Sequence, residues 1–181
     1  YRKALRLMKQ AEKFRRSVIC LVDTLGAYPG EEAEKRGQAA AIAHNIMEMM
    51  AIGVPVFSII IGNGGSGGAL ALCASNEIAM LEDAYLSVIS PKGCANILWM
   101  DSSRLEEAAR MLKMTASDLN EYRAVDTIIP KSDVITTAEN IKHFLLRQIH
   151  SYESFSREKV IDMRHRKFRD FGREYLYFYS D

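Results

Sequence analysis

The chain has 181 residues, 48% of them hydrophobic and 26% charged, with a formal net charge of +1. That length allows one domain with a real core, and the near-neutral balance gives no electrostatic footprint for nucleic acid or another polyanion. The longest apolar run, Val54 to Ile61, is far too short to cross a bilayer, and no signal-peptide pattern opens the sequence.

Residues 1–16 pattern as an amphipathic helix, with Ala4, Leu7, Met8, Ala11 and Phe14 on one face and Arg2, Lys3, Arg6, Lys9 and Lys13 on a solvated basic face. The sequence opens at Tyr1 directly inside this pattern, without Met, and reads as lacking an N-terminal part. VICLVDT (18–24) is a buried strand, and LGAYPG (25–30) is a turn punctuated by Gly26, Pro29 and Gly30. Residues 31–52 read as one helix. Its acids Glu31, Glu32 and Glu34 sit where the helix dipole favours them. Ala39, Ile42, Ala43, Ile46 and Met50 fall at core spacing, Met47, Met49 and Met50 serve as core filler, and Gly53 is a stop.

VPVFSIII (54–61) is wholly apolar, the pattern of a parallel strand covered by helices on both faces. Gly62, Gly64, Gly65, Gly67 and Gly68 then form a loop whose backbone N–H groups can face outward without a Cβ. Such amides suit a group that is negative or becomes so during a reaction. A short helix covers 66–75, and short strands follow at 77–80 and 85–89. A loop and helical turn at 90–99 carry the single Trp. Helices are predicted at 102–113 and 115–121, the second capped by Thr115 with Asp118 three residues on. A strand at 125–129 is closed by Pro130, and helices at 136–150 and 156–172 finish the pattern.

This alternation predicts an α/β fold with a parallel sheet, one domain over 1–181 with 151–181 as a helical C-terminal extension. The run Arg164, His165, Arg166, Lys167, Arg169 reads as a solvated helix face, and the aromatics of the tail YLYFYSD as cover for an apolar patch. Cys20, Cys73 and Cys94 fit buried free thiols in a reducing cytoplasm and cannot alone make a metal knuckle.

The glycine loop is open to several chemistries. Gly62-x-Gly64-x-x-Gly67 matches the dinucleotide fingerprint, with Glu82 and Asp83 near the spacing of its ribose-binding acid, but the following helix is short. Gly64-Gly65-Ser66-Gly67-Gly68 matches the nucleophile elbow, yet His44, His143, His150 and His165 all fall in charged helical stretches and Ser66 reads as a spacer. A Walker loop fails because no Lys follows the glycines. A fourth reading joins both glycine turns: if strands 18–24 and 54–61 are parallel neighbours, one amide from each exit can point at the same carbonyl oxygen.

The segments YRKALRLM, AEKF, DTLGAYPG, AEKRGQ, GVPV, IGNGGSGGALAL, SVISPKGCANILW and VDTIIP resemble, in order from Tyr1 to about Gly172, the alpha subunits of bacterial acetyl-CoA carboxylase carboxyltransferase. The resemblance implies a ClpP/crotonase-like superhelix of ββα units. It also implies transfer of a carboxyl group from biotin, held as carboxybiotin on a separate carrier protein, to acetyl-CoA, giving malonyl-CoA. The implied partners are a beta subunit with a zinc ribbon and the biotin carboxyl carrier protein, in an alpha2beta2 assembly, with no metal in this chain. The amides of Gly67 and Gly68 would hold the biotin oxyanion, Gly26 and Ala27 are candidates for a second donor, and Gly64, Gly65 and Ser66 would complete the cofactor-facing loop.

The sequence departs from that family at Leu25, where a Pro is usual, and at Lys92, where a Glu is usual, and the region that precedes YRKAL in the family is absent. A non-catalytic paralogue, a truncated partner-binding fragment and a carboxyltransferase for another acyl-CoA are the alternative readings.

Overall fold

The computed structural model describes residues 1–173; the aromatic tail, and the expectation that it covers an apolar patch, lies outside them. Five strands form one parallel sheet: β1 (Val18–Thr24), β2 (Val56–Gly65), β3 (Glu77–Leu81), β4 (Tyr85–Ser87) and β5 (Thr127–Ile129). The order is β1-β2-β3-β5, and β4 pairs with the far end of β2. The sheet therefore hinges on β2, whose first half pairs with β1 and β3 and whose glycine half pairs with β4.

Strand β2 is buried along Val56 to Ile60, as its unbroken β-branched pattern predicts. It also runs further than predicted. Gly62, Asn63, Gly64 and Gly65 are strand residues, not loop, because Asn63 to Gly65 find backbone partners on Tyr85 to Ser87. Strand β1 is only half buried: Val18, Cys20 and Val22 face the core while Ile19 and Leu21 are exposed. Among the described residues β1 is an edge strand, and its alternating burial means that one of its two faces is covered and the other is not.

Nine helices surround the sheet among the described residues: α1 (Arg2–Lys13), α2 (Glu31–Lys35), α3 (Gln38–Ala51), α4 (Ser66–Leu70), α5 (Pro91–Trp99), α6 (Leu105–Leu112), α7 (Ala116–Glu121), α8 (Val134–Tyr152) and α9 (Arg157–Asp170). The single helix predicted over 31–52 is broken at Gly37, which adopts φ +72°, a left-handed conformation that glycine reaches at little cost. On α3, Ile46, Met49 and Met50 pack in or against the core as predicted, with Asn45 buried beside them, while Ala39, Ala43 and Met47 are exposed. On α1, Met8 is buried as predicted, but Leu7 and Phe14 are exposed. Residues 91–99 form a full helix. Pro91 at its first position and the Ser90 hydroxyl, accepting from Gly93 N, start it there.

The predicted solvated face on α9 is wrong for two residues. Arg164 is fully buried, donating to Ile52 O at 2.8 Å, Val54 O at 2.9 Å and Asn76 Oδ1 at 2.6 Å, and also to Met49 O. It thus caps the carbonyl end of α3, where a cation is favoured and free acceptors abound. Lys167 pairs with Asp126 and donates to Asn76 O. Residues from 151 to 170 are accordingly keyed into the core through Tyr152, Val160 and Arg164.

Candidate active site at the exits of strands β1 and β2

Parallel pairing of β1 with β2 brings their C-terminal ends to one edge of the sheet. The register slips there: Val22 opposes Ile60 but Thr24 opposes Gly64, so β2 carries extra residues at the slip. Asp23 fills the gap in the ladder. Its Oδ1 accepts from Asn63 N at 2.8 Å and from Asn63 Nδ2 at 2.7 Å. The backbone amide first, then the side-chain amide, holds the Asp23 carboxyl below its ordinary range.

After β1 the chain turns. Thr24 Oγ1 accepts from Gly26 N at 3.2 Å and donates to Gly26 O at 3.1 Å, and Gly26 takes φ +127°. The far side of the turn is held by Gln38 Nε2, which donates to Tyr28 O at 2.8 Å. Leu25 is 82% exposed, outside the contacts that hold this turn.

After β2, Ser66 adopts φ +50° and α4 begins, with Gly65 as N-cap and no side chain capping the helix. The first amides of such a helix have no intrahelical acceptor. The two turns are in backbone contact. A Cβ on Gly65 would stand 2.2 Å from Leu25 O, and one on Gly68 would stand 2.8 Å from Ala27 N, from Gly26 C and from Tyr1 Oη. Gly67 differs, since a Cβ there would meet only Ile42 Cγ2, at 3.8 Å.

The structure therefore brings Gly68 against Gly26 and Ala27, with Gly67 next to it in the chain. It also separates the two second-donor candidates: the Gly26 amide is occupied by Thr24 Oγ1, whereas among the described residues Ala27 N makes no hydrogen bond. Gly64 and Gly65 are buried strand residues that pair with β4 and not part of an open loop.

The competing motifs lose their partners. Glu82 accepts from Lys131 N and Asp83 pairs with Lys131, so neither acid of the dinucleotide reading is free for a ribose. Ser66 is exposed, and among the described residues its hydroxyl meets no base. His44 lies against Glu48 and His150 against Glu153. Burial pushes the Cys20 thiol up to about 11 and the Cys73 thiol up to about 12, so neither is a nucleophile at neutral pH. Among the described residues no cluster of His, Cys, Asp and Glu could hold a metal ion, and no helix is long and apolar enough to cross a membrane.

Sequence reasoning missed Tyr1 and Asn63 as parts of this site. Nothing in a helix-opening Tyr marks it as adjacent to a loop 67 residues on; the Asp-Thr pair that ends β1 was the one available signal for the Asp23–Asn63 clamp.

Residues 1–172 match the family described as acetyl co-enzyme A carboxylase carboxyltransferase-like. An acetyl-coenzyme A carboxylase carboxyl transferase subunit alpha from Listeria monocytogenes is 51% identical over 178 residues, covering 95% of this chain and 56% of that protein. One from Ruminiclostridium cellulolyticum is 51% identical over 174 residues, covering 95% of this chain and 67% of that protein. The chain thus spans 56% of the length of the first relative and 67% of the second. The structure of a Pseudomonas malonate decarboxylase hetero-tetramer in complex with coenzyme A superposes with a TM-score of 0.75 at 16% identity, covering 96% of this chain and 74% of that one, which is a likeness of fold. The α/β sheet order, this superposition and the match over 1–172 together carry the crotonase-like fold expected from the sequence, and the chain belongs to the acetyl co-enzyme A carboxylase carboxyltransferase-like family.

Proposed function

We propose that this chain provides the biotin-facing half of a carboxyltransferase, as the alpha subunit of acetyl-CoA carboxylase, making malonyl-CoA for fatty-acid synthesis. The observation that carries the reading is the backbone contact between the two glycine turns, within a chain of this family. At Gly68 a Cβ would stand 2.8 Å from Ala27 N, so only glycine lets the two turns approach this closely. Carboxybiotin, when bound, supplies the carboxyl group and carries the ureido oxygen on which negative charge grows. Gly67 N–H and Gly68 N–H from the α4 side, and Ala27 N–H from the β1 side, are the donors for that oxygen. Fixed amide dipoles aimed at growing charge need no reorganisation during the step, and one such donor is worth on the order of 3 kcal/mol at the transition state. Asp23 and Thr24 act as positioning residues, the first locking β1 to Asn63 and the second locking Gly26, so that Ala27 is held against Gly68.

A beta subunit with a zinc ribbon, the biotin carboxyl carrier protein and acetyl-CoA or malonyl-CoA are the partners in this reading, in an alpha2beta2 assembly in the cytoplasm. The test is the reverse reaction: the full-length protein that contains this chain, mixed with its beta subunit, should decarboxylate malonyl-CoA in the presence of biotin. A stable complex without turnover refutes catalysis and favours a non-catalytic paralogue.

A further inference from the structure

We propose that the seam between the heads of α1 and α3 is a binding site for a phosphate group, free or as an ester, held by Arg2, Lys3 and Arg36. This site goes beyond the carboxyltransferase reading and does not depend on it. A cavity of about 290 Å³ at the head of α1 has these three cations in its wall and no acid. A second cavity, of about 260 Å³, shares Arg2 and Ala41 with the first and is lined further by Gly37, His44 and Asn45 of α3.

The charges of the first cavity are poorly matched within the protein. Lys3 makes no ion pair among the described residues. Arg36 meets only Glu32, 3.9 Å away on an exposed face, where such a pair is worth little. Arg2 donates to Arg36 O, and its Nη2 stands 3.4 Å from where a Cβ on Gly37 would be. Gly37 is the N-cap of α3 and supplies no side-chain cap, so the first amides of that 14-residue helix lack an intrahelical acceptor. A guanidinium at the positive end of a helix is repelled there. An anion between them reverses the sign of both interactions, and cations with helix-end amides are the donors that phosphate takes.

The second cavity gives an independent sign of a polar occupant. Asn45 is fully buried, and its Nδ2 turns to Ala71 O at 3.5 Å. Its Oδ1 is left without a hydrogen-bond partner. Burying an acceptor without a donor is costly, so the space that Asn45 lines suits hydrogen-bonding contents rather than apolar packing. Cations at one end and a bare acceptor along the seam fit a phosphate ester whose organic part carries hydroxyls.

The experiment measures inorganic phosphate binding to the full-length protein in complex with its beta subunit, by calorimetry and by melting temperature at constant ionic strength. Phosphate should bind saturably and raise the melting temperature where chloride does not. Lys3→Gln with Arg36→Gln should weaken binding by about tenfold to a hundredfold, since each removes a charge-assisted hydrogen bond. Arg6→Gln, on the same helix but outside both cavities, should leave it unchanged. Should the double variant melt lower without phosphate, Lys3→Gln alone must still weaken binding or the proposal fails. No saturable binding, parental affinity in the double variant, or an equal loss in Arg6→Gln overturns the site. Displacement of phosphate by coenzyme A assigns the phosphate to that ligand, and no displacement assigns it to free phosphate or another ester; the site stands in both cases. The readout is binding, so a complex that never turns over refutes the carboxyltransferase reading and not this one.

Discussion

The adjacent glycines of α4 make opposite predictions, and the difference follows from where each Cβ would go. At Gly68 it would lie 2.8 Å from Ala27 N and from Gly26 C, where ordinary contact begins at 3.4 Å. Both obstacles are backbone in a turn already locked by Thr24, so Gly68→Ala must drive the β1 turn back by at least about half an ångström. Forcing such a shift in a packed site costs about 1–3 kcal/mol. It also takes Ala27 out of the narrow range in which a donor serves an oxyanion, and losing one donor lowers kcat by on the order of 10²–10³. At Gly67 the nearest obstacle is Ile42 Cγ2 at 3.8 Å, an ordinary contact. Gly67→Ala should therefore be as stable as the parent, or more stable by up to about 1 kcal/mol, because Ala is the better helix residue and orders a smaller unfolded ensemble. Urea unfolding of the two full-length variants, with steady-state rates of malonyl-CoA decarboxylation in the beta-subunit complex, gives both numbers. Gly68→Ala with parental stability and parental kcat, or Gly67→Ala losing as much stability as Gly68→Ala, would refute the two-turn contact as the basis of the site.

Arg164→Ala should cost about 3–5 kcal/mol in urea unfolding, because it leaves the carbonyls of Ile52 and Val54 buried without their donor and leaves the Asn76 amide oxygen with Val56 N alone. Arg164→Lys should recover only part of this, since one ammonium cannot reach the acceptors that the guanidinium fork spans. Asp23 has a folded-state pKa below the ordinary 3.8, so its contribution is present above that value and lost as pH falls through the lower folded one. Asp23→Asn should remove that acid-side loss, seen as a flatter melting temperature below pH 4 (about the ordinary carboxylate pKa). Glu77 is the reverse case: burial first, then Asp126, raises its pKa above 4.5. Its contribution is greatest below that value and lost as pH rises through the folded one. Glu77→Gln, which keeps an acceptor for the Tyr152 hydroxyl, should be more stable than the parent at pH 7 and no more stable in acid.

Much of this protein was legible locally. An unbroken apolar run made β2 a central strand, Thr115 with Asp118 started α7, and long specific motifs placed the chain in its family, because each of these is a property of neighbours in sequence. The site was half legible. Two glycine turns after two apolar strands could be paired on paper once the strands were taken as parallel neighbours. Which amide remains free on the β1 side could not, since it depends on Thr24 folding back onto Gly26.

What only the tertiary structure decided is what crosses between distant segments. The glycines of 62–65 look like a loop until β4, twenty residues later, supplies the ladder that makes them strand. Arg164 sits in a basic run that any local rule assigns to solvent, and it is buried because the carbonyl end of a helix more than a hundred residues earlier meets it there. Tyr1 comes beside Gly68 for the same reason. Composition and periodicity determine which elements form and which faces they bury; backbone acceptors left at an element's end carry no residue-specific mark, so their partners are chosen by the packing itself.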